Sequence, residues 1–374
     1  MQKKIYFQNL DSIRFIAALM VFFTHTRQAC ELSIHKPFIL KLWDSVLSGG
    51  MGVIVFFVLS GFLISYLLLE EQELTTKVNV KNFYMRRVLR IWPLYFLVLL
   101  IGFGIYPLIN HFSSVANYRL PYFVSFLSNF DLIHLDTHHL HNEPMLDVTW
   151  SVSIEEQFYL FWPLLFFLVK PRYYVSIFIS TIVASMAWRF YVHSEPYVLW
   201  YHTLSLIVDL AIGGLAAYLV IKSNSFKNLF SRIPPIVSLL IYLGGITILF
   251  FRDNLMDSFV YGEVCIHLFY GAFFSFVILD QNYSRESFLK LGRYKFLSFW
   301  GKYSYGIYLL HPIVIASMMY FVGKMHINNQ NIFNFLIFSL VTLVLTLGVS
   351  YASYELFEKR FLALKKKFSV IVKE

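Results

Sequence analysis

The sequence predicts an all-α, polytopic bundle of transmembrane helices, about ten spans with both termini cytoplasmic. Three observations predict it. Of 374 residues, 58% are hydrophobic and only 14% charged, against about 25% charged in soluble domains, too few to cover a water-facing surface. The mean hydropathy is +0.61. The apolar residues also fall in long windows, the pattern lipid selects because a helix satisfies its own backbone hydrogen bonds. Such a composition argues against a soluble enzyme, a disordered tail or a nucleic-acid module.

Apolar windows of roughly 17 to 25 residues mark the spans. They are 10–27, 51–69, 88–109, 151–169, 173–191, 203–221, 233–251, 260–279, 299–322 and 333–356, with charge in the first and fourth. The connections are short, so 1–374 reads as a single membrane domain with no appended soluble domain. Lys3 and Lys4 precede an apolar stretch, but Asp11 and Arg14 interrupt it and no small-residue cleavage site follows, which argues against a signal peptide.

The charge balance orients the bundle. With the N-terminus inside, 22 of the 31 Lys and Arg fall on cytoplasmic segments and seven on the other side. This asymmetry over short loops places both termini in the cytoplasm, requires an even number of spans, and accounts for the net charge of +9 without nucleic acid. The longest connection, about 110–150, then lies outside. It holds His111, His134, His138, His139 and His141 with Asp131, Asp136, Glu143 and Asp147. Their irregular spacing favours a hydrated loop over a metal centre, and no metal is expected. Cys30 and Cys265 fall on the same side, where pairing and free thiols are both open.

Ionisable side chains within a span are costly and mark candidate sites. In the first span, Arg14 and His25 are eleven residues apart, about 16 Å along the axis and close to three turns, so they project from one face. A cation at the inner end and an imidazole deeper on the same wall suit a substrate entering from the cytoplasm; snorkelling and a packed histidine are the structural alternative. Asp11 stands one turn before Arg14. In the second span, Ser60-Gly61 offers a close helix contact or a polar lining. Arg87 and Arg90 share a helix face at the cytoplasmic border, where guanidinium groups grip phosphates or simply anchor the helix.

The fourth span opens Trp150-Ser-Val-Ser-Ile-Glu155-Glu156-Gln157-Phe-Tyr159. Two adjacent glutamates there exceed what one structural ion pair needs. Running inward from outside, this helix is expected to bring Glu155 or Glu156 beside His25, where a carboxylate raises imidazole basicity. In the ninth span, His311-Pro312 is expected to kink the helix, with His311 lining the cavity or bonding a freed carbonyl. Asp209 in the sixth span is a lone acid.

Taken together, these segments resemble the acyltransferase 3 family of integral-membrane acyltransferases. The matching pieces are Arg14 to His25; Phe-Phe-Val-Leu-Ser-Gly-Phe at 56–62; Arg87-x-x-Arg90 followed by Trp92-Pro93; Trp-Ser-x-Ser-Ile-Glu-Glu-Gln-Phe-Tyr-Leu at 150–160; and Gly-Lys-Tyr-Ser-Tyr-Gly-Ile-Tyr-Leu-Leu-His-Pro at 301–312. Each is weak alone, but their order across essentially the whole chain is specific. The resemblance implies an acyl-CoA donor, by family frequency acetyl-CoA, used from the cytoplasm. It implies a carbohydrate or glycan hydroxyl acceptor at the extracytoplasmic side of a bacterial-type inner membrane. His25 would be the catalytic histidine, with Arg14, Arg87 and Arg90 handling the donor. In the expected mechanism His25, oriented by Glu155 or Glu156, deprotonates the acceptor, while Ser60, a tyrosine or backbone donors stabilise the oxyanion; a covalent acyl group on His25 or Ser60 is a variant. A secondary transporter and a non-catalytic polysaccharide-export factor are the rival classes. A transporter would move intact substrate without consuming acyl-CoA.

Overall fold

The computed structural model describes residues 3–4, 7–30, 45–46, 48–110, 115–140, 144–325, 332–369 and 371–372. Among them are ten helices of 16 residues or more, one in each window read as a span. They are α1 (Gln8–Ala29), α2 (Gly49–Thr75), α3 (Val80–Leu99), α4 (Thr149–Leu168), α5 (Tyr174–Tyr191), α6 (Thr203–Lys222), α7 (Pro235–Phe250), α8 (Gly262–Tyr283), α9 (Ser304–Lys324) and α10 (Ile332–Ser353). Seven of them, α2, α3, α5, α6, α8, α9 and α10, are long and apolar enough to cross a membrane. Helix α7 does so only when taken with Asn224–Ser231, from which it is bent by 92°. Helix α1, which carries Asp11 and Arg14, and α4, which carries Glu155 and Glu156, stand outside that group. The architecture is that of an all-helical integral membrane protein.

The irregularities are informative. Helix α3 runs on through a π-helical stretch, Leu100–Ile105, and α10 through another, Tyr354–Glu358, before a short helix at Lys359–Lys365. The ninth window is broken at its start: Lys295–Gly301 forms a separate short helix before α9. Helix α9 is then continuous through Pro312, where the sequence predicts a kink. The ring still removes a backbone donor, which leaves the carbonyl four residues back, that of Tyr308, without its usual helical partner.

A two-residue parallel ladder pairs β1 (Lys3–Lys4) with β2 (Ile371–Val372). It brings both ends of the chain to one face of the bundle, called the terminal face below.

Helix α2 is the packing centre. Its apolar residues are buried on almost every side, including Ile54, Val58, Leu59, Phe62 and Leu68. Glycines let its neighbours approach closely: a Cβ at Gly61 would collide with the Leu210 carbonyl of α6, and one at Gly213 with the Val58 carbonyl. On another side, a Cβ at Gly52 would lie 2.6 Å from the Ala17 carbonyl oxygen of α1. Backbone-to-backbone contact of this kind substitutes dispersion for the hydrophobic drive that lipid does not supply between helices. Gly61 is thus a packing residue, one of the two readings of Ser60-Gly61. Gly61→Ala is expected to destabilise the protein by about 1–3 kcal/mol through overpacking, read as a lower unfolding temperature in detergent. An unchanged melt would mean that α2 and α6 separate without cost.

Candidate active site

Site geometry follows from where α1, α2, α3, α4 and α9 converge. Between them lies a cavity of about 350 Å³. Its terminal-face end is fringed by cations: Arg14 from α1, Arg86, Arg87 and Arg90 from α3, Lys302 ahead of α9, and Lys365 from the C-terminal segment. Three of these meet an acid; Lys302 Nζ lies 3.6 Å from Glu355 Oε1. Arg14 Nη1 donates to Asp11 Oδ1 at 2.9 Å, and Arg86 Nη2 donates to Glu71 Oε2 at 2.7 Å. Arg86 also donates to the Phe368 carbonyl at 2.7 Å, tying the C-terminal segment to the rim. Arg87 and Arg90 have no acid in ion-pair contact among the described residues. The Arg87 guanidinium instead lies over the rings of Phe83 and Tyr159, 5.5 and 5.6 Å from their centroids, and its Nε is buried without a partner. Arg87 is buried and Arg90 half-buried, and neither is held by a direct ion pair, a setting in which guanidinium groups can grip an anion.

Midway along the cavity, Ser60 Oγ donates to Glu155 Oε1 at 2.7 Å and Tyr159 Oη donates to Glu155 Oε2 at 2.8 Å. Ser60 lies eleven residues into α2, about 16 Å below its first turn. The neighbouring Glu156 turns away and accepts from Trp92 Nε1 at 2.8 Å. This corrects the expected carboxylate–imidazole pair. Neither glutamate bonds His25; both lie nearer the arginines than expected, and adjacent residues on a helix point about 100° apart.

The imidazole has another partner. His25 Nδ1 and His311 Nε2 are 2.8 Å apart, with nearly parallel rings whose centroids are separated by 5.0 Å. His311 is fully buried, and its Nδ1 lies 3.0 Å from the Ile307 carbonyl. A carbonyl only accepts, so His311 carries its proton on Nδ1 and presents a bare Nε2. That lone pair takes the proton of His25 Nδ1. His25 is then fixed in the tautomer whose Nε2 is an unprotonated base. The arrangement needs no carboxylate. His25 itself is half-buried near the end of α1 remote from the terminal face, and does not line the cavity that Arg14 lines.

The remaining candidates fall elsewhere. Asp209 accepts from His267 Nδ1 at 2.7 Å in the buried contact of α6 with α8. In the long connection, Asp131 holds Arg119 in an ion pair, and His138 donates to the His134 carbonyl at 2.8 Å. His111, His141 and Glu143 lie outside the described residues. No group of three His, Cys, Asp or Glu side chains poised for a metal occurs among the described residues. Cys30 is buried and Cys265 exposed, and no disulfide joins them.

Sequence reasoning missed several cavity residues. Arg86 was counted only as a loop charge, although its place in the run Arg86-Arg87-x-x-Arg90 was visible. Lys365 reaches the cavity only through the C-terminal turn. Tyr159, Ser151 and Tyr308 sit in aromatic helices whose facing no local pattern reveals.

The site is thus a cation-rimmed cavity on one face of a membrane helix bundle, with a histidine pair beyond its far end. The chain belongs to the acyltransferase 3 family: an acyltransferase domain matches residues 7–355. It is 30% identical over 335 residues to the peptidoglycan O-acetyltransferase OatA of Listeria monocytogenes, covering 83% of this chain and 49% of that protein. It is 29% identical over 297 residues to the O-acetyltransferase OatA of Staphylococcus aureus, covering 74% of this chain and 48% of the relative. The chain thus spans about half the length of these curated relatives. No solved structure matches it.

One acid outside the spans carries a testable charge. Burial pushes the Asp147 carboxyl up to about 6 from its ordinary 3.8, against the lowering effect of the Tyr118 hydroxyl bonded to it at 2.5 Å. The folded state therefore binds this proton more tightly than the unfolded chain. Stability is expected to fall as pH rises from about 4 to about 6, by on the order of 2 kcal/mol. Asp147→Asn is expected to flatten that slope in thermal melts across this range; an identical slope in both proteins would remove Asp147 as its origin.

Proposed function

We propose that this protein is a membrane O-acyltransferase that moves an acyl group, by preference acetyl, from cytoplasmic acyl-CoA to a hydroxyl of a glycan on the extracytoplasmic side. The bundle then has ten spans with both termini cytoplasmic, in a bacterial plasma membrane. The observation that carries the reading is the unpaired Arg87 and Arg90 at one end of a cavity whose other end approaches the His25–His311 pair. The O-acetyltransferase names of the relatives support the acetyl group, and the Listeria enzyme's name supports a glycan acceptor.

In this reading, Arg87 and Arg90 bind the CoA phosphates and the pantetheine arm runs inward past Ser60, Glu155 and Tyr159. His25 Nε2 accepts the proton of the acceptor hydroxyl as its oxygen attacks the thioester carbonyl. The tetrahedral intermediate collapses to the ester, and the proton passes to the departing thiolate, giving free CoA. Asp11 holds Arg14 and Glu71 holds Arg86, which keeps the rim from being over-charged when no donor is present.

His25→Ala, at normal membrane abundance, is expected to lower acceptor acylation in cells by about 10²–10⁴-fold. Arg87→Ala and Arg90→Ala are each expected to raise the KM for acyl-CoA by about 10-fold or more, as loss of a charge-assisted hydrogen bond does, while the KM for the acceptor stays fixed. Full acylation by His25→Ala, checked by mass spectrometry of surface glycans, would remove the histidine from the reaction.

A further inference from the structure

The donor cavity and the histidine pair share one boundary residue, Tyr308. Tyr308 lines the cavity together with Ser151, Phe56 and Val152, at the end remote from the arginines. Its ring meets the His311 ring edge-on, with centroids 6.1 Å apart. Three residues separate Tyr308 from His311 on α9, about one helical turn. A thioester carried at the tip of a pantetheine arm anchored at the cation rim arrives at this end.

Polar donors at that end are few. Tyr308 Oη and Ser151 Oγ are 2.6 Å apart and both buried. The Val148 carbonyl lies 3.3 Å from Tyr308 Oη and 3.2 Å from Ser151 Oγ. A carbonyl only accepts, so the two hydroxyls supply both protons in this triangle, and either can serve Val148. When Ser151 donates to Tyr308, the phenolic proton is free to turn into the cavity. Exchanging a neutral acceptor for a developing oxyanion roughly doubles the strength of that hydrogen bond. The phenol is also the more acidic of the two hydroxyls, and the chain Ser151 to Tyr308 to oxyanion polarises cooperatively.

We propose that Tyr308 is the oxyanion donor of the acyl transfer, with Ser151 as its positioning residue. This rests on the functional reading above and adds to it the group that stabilises charge on the thioester oxygen. His25 works from one side of the carbonyl and Tyr308 from the other. The step transfers no proton from Tyr308: the C–O bond to the acceptor forms, charge develops on the carbonyl oxygen under the phenol, the C–S bond breaks, and CoA thiolate leaves with the proton that His25 removed.

The test uses the full chain, purified and reconstituted, with acetyl-CoA as donor and a chito-oligosaccharide as acceptor. Tyr308→Phe keeps the ring packed on His311 and is expected to lower kcat by about 10²–10³-fold with the KM for acetyl-CoA unchanged. Ser151→Ala is expected to lower kcat less. Fluorotyrosines incorporated at 308 keep the hydroxyl and grade its acidity, so kcat is expected to vary systematically with phenol acidity, which a purely structural hydroxyl would not produce. Wild-type kcat in Tyr308→Phe, or fluorotyrosine variants indifferent to acidity, would overturn the proposal while leaving the acyltransferase reading intact. Absence of any acetyl-CoA-dependent transfer by the wild-type protein would overturn both.

Discussion

A charge inside a lipid-embedded bundle has to be enclosed and partnered, and the site is organised around that constraint. Arg86, Arg87 and Arg90 stand on α3 and Glu71 on α2, whereas Asp11, Arg14, Glu155 and Glu156 stand on α1 and α4, which are not among the seven helices apolar enough to cross a membrane by themselves. Helices α1 and α4 pack with α2, α3 and α9 so that Asp11 meets Arg14, Glu71 meets Arg86, and Glu155 receives two hydroxyl donors. Arg87 and Arg90 are the exceptions. Leaving cations uncompensated in such surroundings is unfavourable unless a ligand completes them. The proposed function gives Arg87 and Arg90 that ligand.

Close helix approach supports the same arrangement. Gly61 and Gly213 let α2 and α6 touch backbone to backbone, and Gly52 draws α1 onto α2. That contact fixes the axial register of α1 against α2, which sets Arg14 at the level of Ser60 and leaves His25 near the beginning of α2. The Gly49 amide confirms the register locally, donating to Thr24 Oγ1 at 2.7 Å. The cation-rimmed cavity and the histidine pair are thus held at different depths by helix packing.

The ten helices were legible because apolar runs of spanning length are the strongest signal a membrane sequence carries. Arg14, Ser60, Arg87, Arg90 and Glu155 were legible as polar groups in apolar surroundings, and the structure gathers all five on one cavity. Their pairings were not. Whether Glu155 meets His25 or Ser60 depends on helix rotation and axial offset to within one turn, which no spacing within a single helix encodes. The histidine pair joins residues 286 positions apart; His311 bonds the Ile307 carbonyl of its own helix and faces His25, and does not line the cavity. Arg86 was hidden by a correct general rule, since basic residues at a helix border need no further explanation until their neighbours are known.

The proposed function unites these elements as a transfer path from the cation rim to the histidine pair across the thickness of the bundle. Sealed vesicles with the terminal face inward, loaded with radiolabelled acetyl-CoA and bathed in glycan, test that path most directly. Label is expected to appear as ester on the external glycan, with free CoA accumulating inside in equal amount. Transfer that occurs only when donor and acceptor share one compartment would contradict it.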